Sequence, residues 1–365
     1  MNFWSELFGK KKMVLGLSPM DGVTDSVMRY MSAKYGEPDI LLTEFVSVDA
    51  LAHAKEEKAV DRVMRAFVRA KDVGELEKEP FEIAQVFGHT PELFYQAAVM
   101  VAELGYDGMD INMGCPMHNV EDQGSGAGLI RTPQVAKEII LSSKQAMRDY
   151  SDGKVKLEDL KISENIKKWV REHRSEVNRD KDPLPVSVKT RVGVDKIVVE
   201  EWMATLMEER PDNISLHGRT LRQLYQGFAD WDAIRRAAEV VHHLGGHLLG
   251  NGDVLNLADA ESKVEKYGVD GVLLGRNAEG NPGIFKYIQE PSPKQRIEWM
   301  VEHVKLYQKL NKPEILTDGD FRWFMPMRKH LAWYCKGFEG AVEVRTKLML
   351  SNSAEEVEQI VYPFR

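Results

Sequence analysis

Apolar and polar residues follow a repeated unit from Met13 to about Phe285. Each unit has a short apolar run, a loop with Gly, Asn or Asp, and a longer amphipathic stretch, which is the pattern of a β-strand followed by an α-helix. Eight runs are predicted to be strands: residues 13–18, 39–44, 82–87, 107–113, 184–190, 213–217, 246–250 and 271–275. Eight strands with a helix after each favour an α/β fold, a (β/α)8 TIM barrel.

The end of the first strand disfavours the alternative, an open doubly wound sheet. Such a sheet usually carries a Gly-rich dinucleotide-binding loop after its first strand. Here residues 18–24 read Ser-Pro-Met-Asp-Gly-Val-Thr instead. The closed barrel is therefore the prediction.

Three segments depart from the repeat. Residues 149–182 are polar and too long for a strand–helix connection, so we expect an inserted hairpin or helix on the outside of the barrel. After the Pro-Ser-Pro at 291–293 the periodicity becomes purely helical. We therefore expect a barrel domain at 1–290 and an all-helical domain at 291–365. The first dozen residues predict a short amphipathic helix that caps the bottom of the barrel.

Composition narrows the class of protein. The apolar runs are far too short to span a bilayer and no cleavable leader is evident, so we expect a cytoplasmic protein that contacts no membrane. Cys115 and Cys335 are expected to be reduced thiols, because two cysteines cannot build a disulfide framework. The net charge of −8 argues against a protein that coats RNA non-specifically, so an RNA-binding surface would be a local patch. Basic and aromatic residues near the C-terminus predict one: Arg322, Trp323, Arg328, Lys329, His330, Trp333, Tyr334, Lys336, Arg345 and Lys347.

The predicted carboxyl ends of the strands carry glycines and polar side chains, and functional groups of a (β/α)8 barrel lie at that end. Gly250, Gly252 and Gly275 follow the seventh and eighth strands. Backbone N–H groups at glycines can approach a phosphate closely, and Arg276 adds a charged donor, so these loops predict a phosphate-binding site. The alternative is that the glycines only permit tight turns.

Three further strand ends carry candidate chemistry. Lys189 and His217 are expected to point to the barrel axis, where a cation stabilises negative charge on a bound ring; either is alternatively a hydrogen-bonded core residue. Gln85 offers a neutral amide to such a ring. Cys115 stands between a glycine and a proline at the end of the fourth strand. A thiol in that position is more often reactive than structural, although cysteines in general are buried.

Seven motifs occur in a specific order along the chain. They are Pro-Met-Asp-Gly-Val-Thr-Asp at 19–25, Asn-Met-Gly-Cys-Pro at 112–116, Gly-Ser-Gly-Ala-Gly at 124–128, Val-Lys-Thr-Arg at 188–191, His-Gly-Arg-Thr at 217–220, Asn-Gly-Asp at 251–253 and Gly-Arg-Asn-Ala-Glu-Gly-Asn-Pro at 275–282. In this order and spacing they resemble the signature of the tRNA-dihydrouridine synthases. The likeness runs from Leu15 to about Phe285. It resumes from Met327 to Arg345, which resembles the helical RNA-binding domain of that family.

The resemblance implies a flavin-dependent oxidoreductase that reduces specific uridines in tRNA to 5,6-dihydrouridine. It implies FMN as the cofactor, NADPH as the reductant, a hydride delivered to C6 and a proton from Cys115 to C5. FMN is expected to contact Pro19, Met20, Gln85, Lys189, His217, Asn251, Gly252, Asp253, Gly275 and Arg276. The RNA is expected to contact Asn112, at the uracil edge, and Arg191, Arg219, Arg328 and Lys329. Ribosomal RNA is an alternative target, no metal is expected, and we expect a monomer.

Two features depart from the pattern of that family. Many members carry basic residues after the Cys-Pro pair, whereas Met117, His118 and Asn119 follow it here, which leaves the RNA contacts of that loop open. The segment 149–182 is longer than in most members, which leaves open which RNA is accepted and where it docks.

Two other functions stay open from the sequence. A small-molecule flavoenzyme of the dihydroorotate or dihydropyrimidine dehydrogenase kind would share the barrel and the cofactor, but it would not need a basic, aromatic C-terminal domain. An RNA-binding protein without catalysis would not need Cys115, Lys189 and His217.

Polar residues near the seventh and eighth strands have a structural interpretation. His242, His243 and His247 are interpreted as solvated residues rather than a metal site, because no carboxylate or cysteine with ligand spacing accompanies them. Asp253 and Asp270 are interpreted as acceptors that cap loops.

Overall fold

The computed structural model describes residues 2–115, 124–174, 182–286, 290–312 and 322–364. Its strands are β1 (Val14–Leu17), β2 (Ile40–Leu42), β3 (Val46–Ser47), β4 (Phe81–Phe87), β5 (Gly108–Met113), β6 (Val186–Arg191), β7 (Ile214–His217), β8 (Leu248–Asn251) and β9 (Gly271–Leu274). All pair in parallel, and the additional pairing of β2 with β4 closes the sheet into a ring of eight strands. Eight strands coincide with the predicted ones, which confirms the (β/α)8 barrel. The two-residue strand β3, beside β4, was not predicted.

Helices follow the strands and surround the barrel. The α-helices are Phe3–Lys10, Ser26–Gly36, Val48–His53, Glu57–Met64, Ala70–Val73, Pro91–Glu103, Pro133–Ser151, Glu164–His173, Val199–Met207, Trp231–His243, Leu257–Tyr267, Pro293–Asn311, Met325–Tyr334, Ala341–Leu348 and Ala354–Val361. Short 3-10 helices are Arg65–Phe67, Gly126–Arg131, Leu157–Asp159, Arg276–Ala278 and Tyr362–Phe364. Asp25, Asp230 and Asn256 each accept a hydrogen bond from a backbone N–H of the first helical turn, and so end the loops after β1, β7 and β8.

The N-terminal helix closes one end of the barrel. Phe3, Trp4 and Leu7 are buried in one apolar cluster with residues of β1, β2, β4, β8 and β9. The ring of Phe3 stacks on that of Phe81, the first residue of β4, with 4.6 Å between ring centroids. This confirms that the helix caps the barrel bottom. The opposite end, where the strands terminate, is the end at which the polar loops meet.

The segment 149–182 contains a helix rather than a hairpin in its described part. Ser163 caps the helix Glu164–His173, and Asn165 Nδ2 donates a hydrogen bond to the carbonyl of Lys55 at 2.6 Å. The helix packs against Glu57–Met64, one of the outer helices. Residues 175–181 lie outside the described part of the chain.

The described residues after Pro293 are helical or in connecting turns. The first long helix of this region is joined to the barrel helix Ser26–Gly36 by Glu302, whose carboxylate accepts hydrogen bonds from Lys34 Nζ at 2.6 Å and from the hydroxyl of Tyr35. The division into domains at 290/291 stays a prediction. Across the described ranges, no helix has both the length and the apolarity that crossing a membrane requires.

Candidate active site

A cavity of about 490 Å³ opens at the carboxyl ends of the strands. Thirteen of the sixteen predicted site residues line it: Pro19, Met20, Asn112, Cys115, Lys189, Arg191, His217, Arg219, Asn251, Gly252, Asp253, Gly275 and Arg276. Gln85, Arg328 and Lys329 do not. Residues that were not predicted also line the cavity, among them Phe45, Tyr225 and Glu279. Glu279 belongs to the motif at 275–282, whereas Tyr225 lies in a loop that carried no sequence signal.

Cys115 lies directly after β5 and contributes to the cavity wall. Its backbone N–H and that of Gly114 both donate to Asn112 Oδ1, at 2.9 and 3.0 Å. Arg191 Nε donates to the carbonyl of Gly114 at 2.6 Å. The turn that carries the thiol is therefore held from β5 and from β6. Neither cysteine of the chain forms a disulfide. Pro116 lies outside the described residues, as do Met117, His118 and Asn119, where the sequence departs from the family pattern.

Gln85 does not line the cavity, and the prediction that it contacts a bound ring stays a prediction. Strand β4 continues two residues beyond it to Phe87, so Gln85 is not at the strand end. Its side chain is completely buried. Its Nε2 donates to Asp110 Oδ2 at 2.7 Å, and its Oε1 accepts from Asn112 Nδ2 at 2.9 Å. Both ends of the Gln85 amide therefore form hydrogen bonds within the protein.

The Asn112 side chain also forms hydrogen bonds within the protein. Its Oδ1 accepts two backbone hydrogen bonds and one amide hydrogen goes to Gln85. One hydrogen of its Nδ2 is the most that is left for a base. Asn112 shapes the cysteine turn and also lines the cavity, and the prediction that it contacts the uracil edge stays a prediction. Below it, burial raises the pKa of Asp110 to about 6, against the opposing hydrogen bonds from Ser187 and Gln85.

The cavity wall is rich in basic groups. Burial, and then the neighbouring Arg191, lower the pKa of Lys189 to about 8, so this amine is mostly protonated at pH 7. Burial also lowers the pKa of Arg191 to about 10. His217 differs from the prediction that it is a cation: burial and the charges of Arg191 and Lys189 hold its pKa well below the ordinary value, so the imidazole is neutral.

Asp253 organises the loop after β8. Its carboxylate accepts hydrogen bonds from Arg219 Nη2 at 2.7 Å, from Arg276 Nη2 at 3.0 Å and from the backbone N–H of Ala229 at 2.8 Å. The last bond confirms its interpretation as a loop-capping acceptor. Arg219, which was predicted to contact RNA, is therefore ion-paired with Asp253 within the protein. Arg191 also forms hydrogen bonds within the protein, since it donates to the carbonyls of Gly114 and Thr220.

Two of the three glycines predicted to approach a phosphate, Gly252 and Gly275, differ in what an added side chain would meet. Gly252 has φ of 122°, and a Cβ there would lie 2.6 Å from the Cβ of Ala229, so the fold itself requires glycine. At Gly275 an added Cβ would only make ordinary contacts, 3.5 Å to Met20 and 3.7 Å to Ser18. Packing within the chain therefore does not explain Gly275. Gly275 lines the cavity, beside the basic groups of its wall.

Comparison with known proteins assigns the family. A family model described as "Dihydrouridine synthase (Dus)" matches residues 16–159 and 159–363. The chain belongs to the dihydrouridine synthase family. This confirms the predicted family and the prediction that the chain is an enzyme, a flavin-dependent oxidoreductase.

Similar proteins match along the whole chain. The sequence is 30% identical over 367 residues to a probable tRNA-dihydrouridine synthase of Staphylococcus aureus (strain COL), covering 100% of this chain and 95% of that protein. It is also 30% identical to probable tRNA-dihydrouridine synthase 2 of Bacillus subtilis (strain 168), covering 100% and 96%. A solved structure of DHODH from Eimeria tenella in complex with ferulenol superposes with a TM-score of 0.49 at 10% identity, over 79% of this chain and 81% of that one.

The basic patch predicted near the C-terminus of this family member is only partly a surface. His330 is buried and burial holds its pKa well below the ordinary value, so it is neutral. Arg328 donates to the carbonyl of Ser351 at 3.1 Å and to Asn352 Oδ1 at 2.7 Å, which ties together two parts of the helical region. Arg345 donates to the carbonyl of Cys335 at 2.8 Å. These side chains hold the helices to one another.

Lys329 is the member of the patch that reaches the barrel mouth. A Cβ added at Gly22, in the loop after β1, would lie 2.9 Å from Lys329 Nζ. Burial raises the pKa of Glu279, which lines the cavity, against the opposing charges of Lys336, Arg276 and Lys329. The helical region therefore contributes positive charge beside the cavity.

The histidines before β8 are joined by a carboxylate that sequence spacing did not show. Asp270 Oδ2 lies 2.8 Å from His242 Nε2, and Asp270 Oδ1 lies 3.4 Å from His247 Nδ1. Asp270 also accepts a hydrogen bond from the backbone N–H of Leu248 at 2.8 Å, which confirms its loop-capping role. Together these contacts stabilise the start of β8.

Proposed function

We propose that this enzyme reduces specific uridines in tRNA to 5,6-dihydrouridine, with FMN as the bound cofactor and NADPH as the reductant. The observation that carries the proposal is the position of Cys115: a thiol in the wall of a cation-lined cavity at the open end of a dihydrouridine synthase barrel. The names of the similar proteins point to tRNA as the substrate.

The cavity residues fit a flavin mononucleotide. Gly275 and the backbone around Gly252 suit its phosphate, and Arg276 supplies a charged donor beside them. The buried ammonium group of Lys189 suits a ring that gains negative charge on reduction. Neutral His217 would serve as a hydrogen-bonding group. When bound, FMN that NADPH has reduced supplies the hydride that C6 of the uracil accepts.

The protein itself supplies the proton and the orientation. The Sγ–H bond of Cys115 breaks as its proton forms the new C–H bond at C5, and water later reprotonates the sulfur. Lys189 and Arg191, which both interact electrostatically with Cys115, offset the negative charge left on sulfur. Asn112 keeps the thiol turned to the cavity. The target base has to leave its stack to reach this site, which costs a few kcal/mol and less in a loop than in a duplex.

Lys329, from the region that we propose as the helical RNA-binding domain (291–365), lies where it can contact a phosphate of the bound RNA. We propose a cytoplasmic, monomeric enzyme that acts on tRNA rather than ribosomal RNA.

The test is reduction of unmodified tRNA transcripts with FMN and NADPH, followed by position-resolved detection of dihydrouridine. We expect Cys115→Ala to lower the rate about 10²–10⁴-fold, the usual contribution of a positioned proton donor. Cys335→Ala is the matched control, because this second buried thiol lies in the helical region, where it donates to the carbonyl of Ala341. Turnover of free uracil or dihydroorotate, with no dihydrouridine formed in tRNA, would contradict the proposal.

A further inference from the structure

The loop of residues 219–230, between β7 and the helix Trp231–His243, is called the rim loop below. It carries two exposed aromatic side chains, one of which lines the cavity. Tyr225 is 63% exposed and Phe228 is 88% exposed. Phe228 gains no burial from the fold, so its ring does not serve the stability of the barrel. The position of the loop, beside the active site, suggests that the rings contact a ligand.

The rim loop is held in one conformation by side chains beneath it. Arg219, only 2% exposed, donates from Nη2 to the carbonyl of Gly227 at 2.7 Å, and it is itself fixed by Asp253. Gln223 Oε1 accepts the backbone N–H of Thr220 at 2.8 Å. Rings on a fixed loop lose little conformational entropy when they bind, which favours a binding role over incidental exposure.

The two rings share one loop, which borders the cavity at Tyr225. Tyr225 lines the cavity, and the guanidinium carbon of Arg276 lies 5.2 Å from the centroid of its ring. Phe228, three residues further along the same loop, is not part of the cavity wall. A cation beside a π-face, followed by an open apolar ring, is the combination that single-stranded nucleic acid uses: charge for the backbone and aromatic faces for the bases.

We propose that Tyr225 and Phe228 form a stacking platform for the nucleotides that flank the target uridine. The inference rests on the proposed function, because a base drawn into the cavity brings its neighbours to the rim. RNA is favoured over an apolar protein partner because basic groups, Arg276 and Lys329, lie beside the same mouth. Base stacking tolerates any sequence, so the platform would secure the strand without selecting its bases.

The direct test uses Phe228→Trp, which puts a fluorescent ring at the 88% exposed position. Titration with unmodified tRNA transcript should quench the added emission, measured as the difference from the wild-type enzyme, because a stacked base quenches indole. Leu244→Trp, at a residue that is 45% exposed between the helix Trp231–His243 and β8, at the end of the barrel away from the cavity, is the matched control and should show no quenching.

The second test compares tRNA binding and turnover in Phe228→Ala and in the control Leu244→Ala. We expect Phe228→Ala to weaken tRNA binding, measured by filter retention, about 5- to 150-fold, the change that corresponds to losing one stacked base. The KM for tRNA should rise by a similar factor while kcat changes less. Melting temperature and FMN content verify that each variant is folded.

The outcomes separate the two proposals. Unchanged tRNA affinity in Phe228→Ala, together with no quenching in Phe228→Trp, would overturn the platform even if the wild-type enzyme forms dihydrouridine. A change of sedimentation in Phe228→Ala with unchanged tRNA affinity would instead assign the rings to contact between copies, and would also overturn it. Weakened binding and quenching in an enzyme that forms no dihydrouridine would support the platform and refute the proposed reaction.

Discussion

The side-chain oxygen of Asn112 accepts a hydrogen bond from the backbone N–H of Cys115 at 2.9 Å. Asn112 belongs to β5, whereas Cys115 lies in the turn that follows it. The same amide donates to Gln85, which in turn donates to Asp110. A buried chain of three polar side chains therefore connects the core of the barrel to the turn that carries the thiol, and Asn112 acts as a positioning residue.

Replacing Asn112 by alanine should reduce both activity and stability. The turn would lose two bonds, so the rate of dihydrouridine formation should fall about 10²-fold, the usual effect of misplacing a reacting group by about 1 Å. The buried groups that lose their hydrogen bonds to Asn112 should lower the free energy of unfolding by about 1–3 kcal/mol. Asn213→Ala removes a buried asparagine that bonds Ser215 Oγ at the other end of the barrel, and serves as the control. Equal loss of rate in both variants would show that Asn112 acts through stability alone.

The affinity for FMN should depend on pH through Lys189. Because the pKa of this amine is about 8, it is mostly charged at pH 7 and mostly neutral at pH 9, so FMN should bind more weakly as pH rises across that range. Lys189→Met should weaken binding about 10-fold or more at pH 7, the scale of one charged hydrogen bond, and should remove this pH dependence. Flavin fluorescence titration measures both effects.

Lys144→Met provides the comparison for that experiment. Burial lowers the pKa of Lys144 as well, but this lysine bonds the carbonyls of Glu209 and Arg210, in the turn after the outer helix Val199–Met207. Its replacement should leave FMN affinity unchanged. The role of Lys189 would be refuted if FMN affinity were the same at pH 7 and pH 9 in the wild-type enzyme.

Alanine at the two loop glycines should have opposite signatures. Gly275→Ala should fold with a nearly unchanged melting temperature, because the added Cβ makes only ordinary contacts, yet it should bind FMN more weakly by blocking the approach to the backbone. Gly252→Ala should lower the free energy of unfolding by more than about 1 kcal/mol, since its φ of 122° and the Ala229 contact both oppose a side chain. Thermal denaturation and flavin titration distinguish the two. A Gly275→Ala enzyme with full FMN affinity would exclude the phosphate site proposed there.

Two neighbouring basic residues of the helical region should differ as RNA ligands. Lys329→Ala should weaken tRNA binding and reduce the slope of log affinity against log salt by about one, as expected for a lost phosphate contact. Arg328→Ala should mainly lower the melting temperature, because its guanidinium bonds Ser351 and Asn352. Filter binding at several salt concentrations, with calorimetry, tests the pair. An unchanged salt slope in Lys329→Ala would remove that residue from the interface.

The sequence by itself determined the barrel and most of the site. Apolar runs of strand length recur with helices between them, and the carboxyl ends of parallel strands must meet at one end of a barrel. Residues such as Cys115, Lys189 and Gly275 could therefore be assigned to a common cavity from their positions after the strands. The N-terminal cap was predictable for a similar reason, since a short amphipathic helix has to bury its apolar face.

Only the tertiary structure decided what each polar group does there. The side chains of Gln85 and Arg219 form hydrogen bonds with partners that lie 25 and 34 positions away in the chain, and no local pattern shows those contacts. His217 is neutral because its charge state depends on burial and on the summed field of cations from other strands. Tyr225 lines the cavity from a loop that a buried arginine, Arg219, bonds at the carbonyl of Gly227. Periodicity predicts elements and their order, whereas hydrogen-bond partners, charge states and loop paths depend on distances that exist only after the chain has folded.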